Sequence, residues 1–177
     1  MATVSHWGSL DADANGSEVN MPMRIRRYVE TDTGHRIPNH ESKCRHLHGH
    51  RYRFTAEVEG QVETTADRPD EGMLIDFGEL AEILQVHVHD VIDHAFIVYH
   101  EDRHGRAACA AMGENHRTVV VPFIPTAENL ARWTFERIAP IIAAAYDGRV
   151  CLVAMHVRET PKSSATWRIA NATQWES

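Results

Sequence analysis

The sharpest pattern along the 177-residue chain is the alternation in HGHRYRFTAEVEG, residues 48–60. Tyr52, Phe54, Ala56 and Val58 share one face, and Arg51, Arg53, Thr55, Glu57 and Glu59 share the other, the two-residue period of a half-buried strand that Gly60 closes. MRIRRYVETDTGHRI, from Met23, alternates in the same way and predicts a preceding strand. Behind the turn-rich TTADRPDEG, GMLID reads as a short partner strand. The period then changes. Leu80, Ile83, Leu84, Val88, Val91 and Ile92 recur at helical spacing, after an Asp76/Glu79 arrangement resembling a capping box. Residues 100–117 predict a surface excursion, and TVVVPF a returning strand. PTAENLARW starts a second helix with Thr126 as its N-cap, which Pro140 is expected to kink or interrupt. RVCLVAMHVRET and SATWRIA are two more strands joined by a Pro-containing turn. The order strand, strand, helix, strand, helix, strand, strand predicts an α+β fold with a mostly antiparallel sheet and helices on one face. Residues 1–22 show no periodicity and are expected to be a mobile tail before a single domain over 23–177.

Composition narrows the function classes. A formal net charge of −7 with no basic cluster argues against nucleic-acid binding. No apolar run is long enough to span a membrane, and no basic start followed by an apolar block suggests a secretion signal. Three widely spaced cysteines, Cys44, Cys109 and Cys151, do not suggest a disulfide framework and fit a reducing, cytoplasmic setting. The unusual feature is thirteen histidines, concentrated between His35 and His116.

His48 and His50 lie two apart in an extended segment, so both imidazoles project from one face and can chelate an ion, with Gly49 leaving room between them. His35, at the end of the preceding strand, is the candidate third ligand; three histidines and an open position would make a catalytic zinc site. His87 and His89 have the same spacing inside the predicted helix, where positions two apart diverge by roughly 200° and cannot converge on one ion. Cys44 can close the coordination, or act as a thiol beside the metal; spacing alone separates neither from the other. Asp93 beside His94 is either an orienting carboxylate with its acid–base imidazole or an ordinary helix end. Glu159 continues the apolar phase Val153, Met155, Val157. It is therefore either a core-facing carboxylate that needs a partner with parallel N–H donors, or a turn residue before Pro161. Glu128 suits the first turn of the second helix through the helix dipole.

Taken together, GHRIPNHESKCRHLHGHRY, GMLIDFGEL, VIDHAF, PTAENLARW and VRETPKSSATW resemble the 6-pyruvoyltetrahydropterin synthase / 6-carboxytetrahydropterin synthase family over about residues 23–170. The resemblance implies zinc on His35, His48 and His50, a catalytic thiol at Cys44 with Asp93 and His94 as its partners, and a pterin-anchoring carboxylate at Glu159. Thr126 and Glu128 match a second strip lining the pterin pocket. It further implies a tunnelling-fold unit, with a four-stranded antiparallel sheet and two helices on one face, that oligomerises into a barrel, a hexamer or tetramer with sites between subunits. The C-x3-HGH spacing and RETP ending resemble the bacterial 6-carboxy branch of 7-deazaguanine and queuosine biosynthesis. That branch turns 7,8-dihydroneopterin triphosphate into 6-carboxytetrahydropterin, acetaldehyde and triphosphate. The alternatives are 6-pyruvoyl formation, and a non-catalytic zinc-stabilised binding module in which Cys44 closes the site.

Overall fold

The computed structural model describes residues 22–169; all but the last residue of the expected tail lies outside them. Two long strands form the centre. β1 (Met23–His35) and β2 (His48–Gly60) pair antiparallel without a break from Met23↔Gly60 to His35↔His48. β5 (Val150–Thr160) pairs antiparallel with the other side of β2, and β6 (Ser163–Arg168) with β5. This four-stranded antiparallel unit is extended beyond β1 by two short strands, β3 (Phe96–Tyr99) and β4 (Thr118–Val121). Both of these added pairings are parallel, giving the order β4-β3-β1-β2-β5-β6.

The alternation in β2 places its apolar face as expected: Tyr52, Phe54, Ala56 and Val58 are fully buried. Two helical segments cover that face, joined through one core with Met155 and Val157 of β5. α1 (Phe77–Leu84) is N-capped by Asp76, whose carboxylate accepts from the Gly78 amide at 2.5 Å. It runs through a π turn at Gln85–His89 into a last turn, α2 (Asp90–Ile92). Leu80, Leu84, Val88 and Ile92 are spaced by four and all fully buried. An α-helix turns such a row by about 40° per step. The looser π winding brings the row back towards the core. α4 (Ala127–Ala145) is capped by the Thr126 hydroxyl, which accepts from the Asn129 amide, and buries Leu130, Ile138 and Ile142.

Four expectations change. GMLID forms no strand: it lies in turns and bends between Gly72, at φ +81°, and the Asp76 cap, touches Glu63 by two backbone bonds from Gly72 and Met73, and plugs the core with Leu74 and Ile75. β3 was not expected, because four apolar residues buried between two neighbours lack the alternation that marks a half-exposed strand. The 100–117 excursion contains a helix, α3 (Arg103–Ala111), capped by Asp102 through the Gly105 amide. Pro140 leaves α4 unbroken; it sits on the exposed face of the helix.

The opposite face of the sheet is covered by paired charges. Glu57, only 4 % exposed, accepts from Arg26 at 2.8 Å and from the His156 ring at 2.9 Å, with Arg24 at 3.3 Å. Burial works to raise the Glu57 carboxyl, but the bonds from His156 and Arg26 outweigh it and hold it below the usual range. A depressed carboxylate contributes stability above its unfolded value near 4.5, and loses it as pH falls through the folded value. Glu57→Gln should therefore cost about 1–3 kcal/mol at neutral pH. Its denaturation midpoint should fall less steeply below pH 4.5 than that of the unsubstituted protein.

Candidate active site

The β1–β2 register brings the three predicted ligands together. His35 lies directly across from His48, Gly34 from Gly49, and Thr33 from His50. The three imidazoles point to the core face at the open end of this strand pair, with ring centroids 4.5, 5.3 and 5.1 Å apart. One nitrogen from each falls within 4.8 Å of the others. Glycine at 49 permits the approach: a Cβ there would lie 2.9 Å from the Thr33 carbonyl oxygen. His35 is 1 % exposed, and its Nδ1 meets the carbonyl oxygen of Pro125 at 2.7 Å. His48 Nδ1 meets the His46 carbonyl oxygen at 2.8 Å. A carbonyl only accepts, so both Nδ1 atoms carry hydrogen and both Nε2 lone pairs are free to ligate. Burial holds both His35 and His50 below the ordinary imidazole value, which favours the neutral form a metal needs. This donor set fits a zinc ion.

Glu159 faces the same point. β5 continues through Thr160, and its pairing with β6 skips from Arg158↔Ser164 to Thr160↔Ser163, leaving Glu159 as the bulged residue. A bulge re-aims a side chain. Here Glu159 Oε1 accepts from the Tyr52 hydroxyl at 3.0 Å and lies 3.6 and 3.8 Å from Nε2 of His35 and His50. The carboxylate is in the strand, not in a turn. Burial, and then the Glu159 charge, push the Tyr52 hydroxyl far above its usual range, so it stays protonated and donates. Its oxygen sits 3.1 Å from His35 Nε2.

Cys44 is half-buried in a single 3-10 turn, Lys43–Arg45, between two exposed cations. Its carbonyl accepts from the Ile37 amide at 2.8 Å, tying the turn to the chain just past His35. The thiol is not part of the cluster of converging ligand atoms, which consists of the three histidines among the described residues.

Asp93 and His94 follow the last turn of the α1–α2 helix. The His94 ring Nδ1 lies 2.7 Å from Asp93 Oδ2, while Asp93 Oδ1 accepts from the Asp32 amide at 3.0 Å. Burial works to raise Asp93, but the Asp32 amide and the His94 ring outweigh it and keep the carboxylate ionised. His94 is 76 % exposed. It borders, with His50, Arg51 and His116, an open cleft of about 460 Å³. Within one chain the dyad thus shares a cleft with a triad histidine, while the other triad contacts run to Tyr52, Glu159 and Pro125. Thr126 spends its hydroxyl on capping α4, and Glu128 is exposed in the first turn. Pro125 is the residue by which that strip touches the site. A separate concavity of about 930 Å³, among residues such as Glu63, Asp70, Tyr146 and Arg149, includes none of these residues.

Sequence reasoning missed three participants. Tyr52 shares the phase of His48 and His50, so its place was available from the two-residue period. The carbonyls of Pro125 and His46 carry no side-chain signal at all. His87 and His89 stay apart from the triad: His89 meets Gln85 and Asp90 instead.

The family model described as 6-pyruvoyl tetrahydropterin synthase matches residues 24–170. A Haemophilus influenzae protein named 6-carboxy-5,6,7,8-tetrahydropterin synthase is 31% identical over 141 residues, covering 79% of this chain and 94% of its own. A Rickettsia felis protein of the same name is 32% identical over 120 residues, covering 67% and 81%. Among solved structures, an uncharacterized Wolinella succinogenes protein superposes with a TM-score of 0.65 at 23% identity, over 84% of this chain and 98% of its own. The Caenorhabditis elegans 6-pyruvoyl tetrahydropterin synthase gives 0.57 at 19%, over 85% and 97%. The tunnelling fold, the histidine cluster and a match over most of the length agree: the chain belongs to the 6-pyruvoyl tetrahydropterin synthase family of enzymes.

Proposed function

We propose that the chain is a zinc-dependent 6-carboxy-5,6,7,8-tetrahydropterin synthase, acting on 7,8-dihydroneopterin triphosphate in 7-deazaguanine and queuosine biosynthesis. The observation that carries this reading is the convergence of His35, His48 and His50 on a point faced by Glu159. The relatives named for the 6-carboxy reaction support this branch over the 6-pyruvoyl one.

His35, His48 and His50 would hold the zinc, which when bound polarises substrate oxygens and stabilises negative charge developing on them. Glu159, steadied by Tyr52, receives the paired N–H groups of the pterin edge. Pro125 holds His35 in the tautomer that leaves Nε2 free. Thr126 and Glu128 border the pocket from the start of α4. Cys44 and the Asp93–His94 pair exchange protons with the side-chain carbons and hydroxyls, starting from opposite protonation states. With water consumed, cleavage between the first and second side-chain carbons leaves a carboxylate at C6 and releases acetaldehyde and triphosphate. Among the described residues, the two outer strands, β4 and β6, have no strand on their outer edges. Closing a barrel between copies would cover them, consistent with a homo-oligomer whose sites lie between subunits.

Mass spectrometry after incubation with 7,8-dihydroneopterin triphosphate should find 6-carboxytetrahydropterin and acetaldehyde; triphosphate release without acetaldehyde would indicate the 6-pyruvoyl reaction. Cys44→Ala should abolish turnover while zinc content stays near one per chain. The cobalt-substituted protein should lack a thiolate charge-transfer band. Collapse of metal content, or such a band, would make Cys44 a ligand and the site a closed one. Tyr52→Phe should retain zinc but raise KM about tenfold, the loss of roughly one hydrogen bond to a charged group.

A further inference from the structure

The 100–117 segment lies outside every motif that carries the family likeness, yet both its ends are fastened beside the site. At its end, just before β4, the Arg117 guanidinium reaches the chain that bears Asp93 and His94. Nη1 donates to the Asp93 carbonyl at 3.0 Å, and Nη2 donates to the Asp90 carbonyl. The Arg117 backbone is itself fixed, its carbonyl accepting from the Phe96 amide at 2.9 Å. At its start, Asp102, 2 % exposed, lies 3.1 Å from the guanidinium of Arg36, the residue after His35.

The dyad needs such support. A helix end leaves carbonyls without intrahelical donors. Here the Ile92 carbonyl takes the Thr33 hydroxyl and the Ala95 amide, while those of Asp90 and Asp93 take Arg117. His94 adopts φ +52°, a left-handed conformation that costs a residue with a Cβ about 1 kcal/mol or more. Its ring is largely in solvent, so little packing orients it. What remains is the bond to Asp93 and the backbone, held on the β1 side by two bonds with Asp32 and on the other side by Arg117.

We propose that Arg117 is a positioning residue for the Asp93–His94 dyad, and that the 100–117 segment is through it a working part of the active site. This rests on the assignment of proton transfer to the dyad. A misplacement of about 1 Å can cost a hundredfold in rate. In the full-length zinc-loaded protein, Arg117→Ala should lower kcat by roughly tenfold to a hundredfold and leave KM within about twofold. Arg117→Lys, which keeps the charge and one donor, should recover part of that loss. In a His94→Ala background, Arg117→Ala should lower the residual rate no further. An equal loss in that background, or a rise in KM at unchanged kcat, overturns the proposal.

A readout independent of the reaction separates the two assignments. By imidazole NMR, Arg117→Ala or Arg117→Lys should shift or broaden the His94 ring signals. Those of His156, held by Glu57 and Thr166, should not move. An unmoved His94 signal overturns the positioning role. A moved signal in a protein that leaves dihydroneopterin triphosphate intact supports it, and counts against the proposed substrate alone.

Discussion

The register between β1 and β2 is the constraint on which the site depends. Side chains alternate between faces, so a slip of one residue would send His48 and His50 to the charged face and bring their neighbours to the core. The same slip would expose Tyr52, Phe54, Ala56 and Val58, all of which are fully buried. The hydrophobic face of β2 therefore fixes the position of the histidines at its start. Core burial is non-directional, but multiplied along a thirteen-residue strand it specifies a geometry at the strand's end.

Glu159 reaches the triad by a different device. Regular alternation along β5 sets its face, and the bulge opposite Ser163 and Ser164 adjusts its direction. Tyr52 then occupies the space between the carboxylate and His35, and its raised pKa makes it a fixed donor, not a titrating group.

The dyad and the thiol are held by backbone more than by packing. Cys44 is carried by a turn whose carbonyl is tied to Ile37, and His94 by a left-handed residue between Asp32 and Arg117. Such segments lie outside the periodic elements, where hydrogen bonds replace side-chain burial as the source of order. The half-exposed setting of the thiol and the exposure of His94 leave both groups open to a ligand.

By itself the sequence determined the strands and helices whose periods are long and one-sided: β1, β2, β5, β6, the row Leu80 to Ile92 and the Thr126 cap. It also determined the phase that puts His48 and His50 on core-facing positions, because period two fixes a face regardless of what packs there, while for Glu159 it left a turn before Pro161 equally open. It did not determine β3, whose burial on both sides removes the alternation, or that GMLID forms no strand. Only the tertiary structure decided that His35 stands opposite His48, that Glu159 sits on a bulge, that the Tyr52 hydroxyl bonds Glu159, and that the Pro125 carbonyl and Arg117 reach the site. The hydrogen bonds of Tyr52, Pro125 and Arg117 join residues 17 to 107 positions apart, which no local pattern encodes.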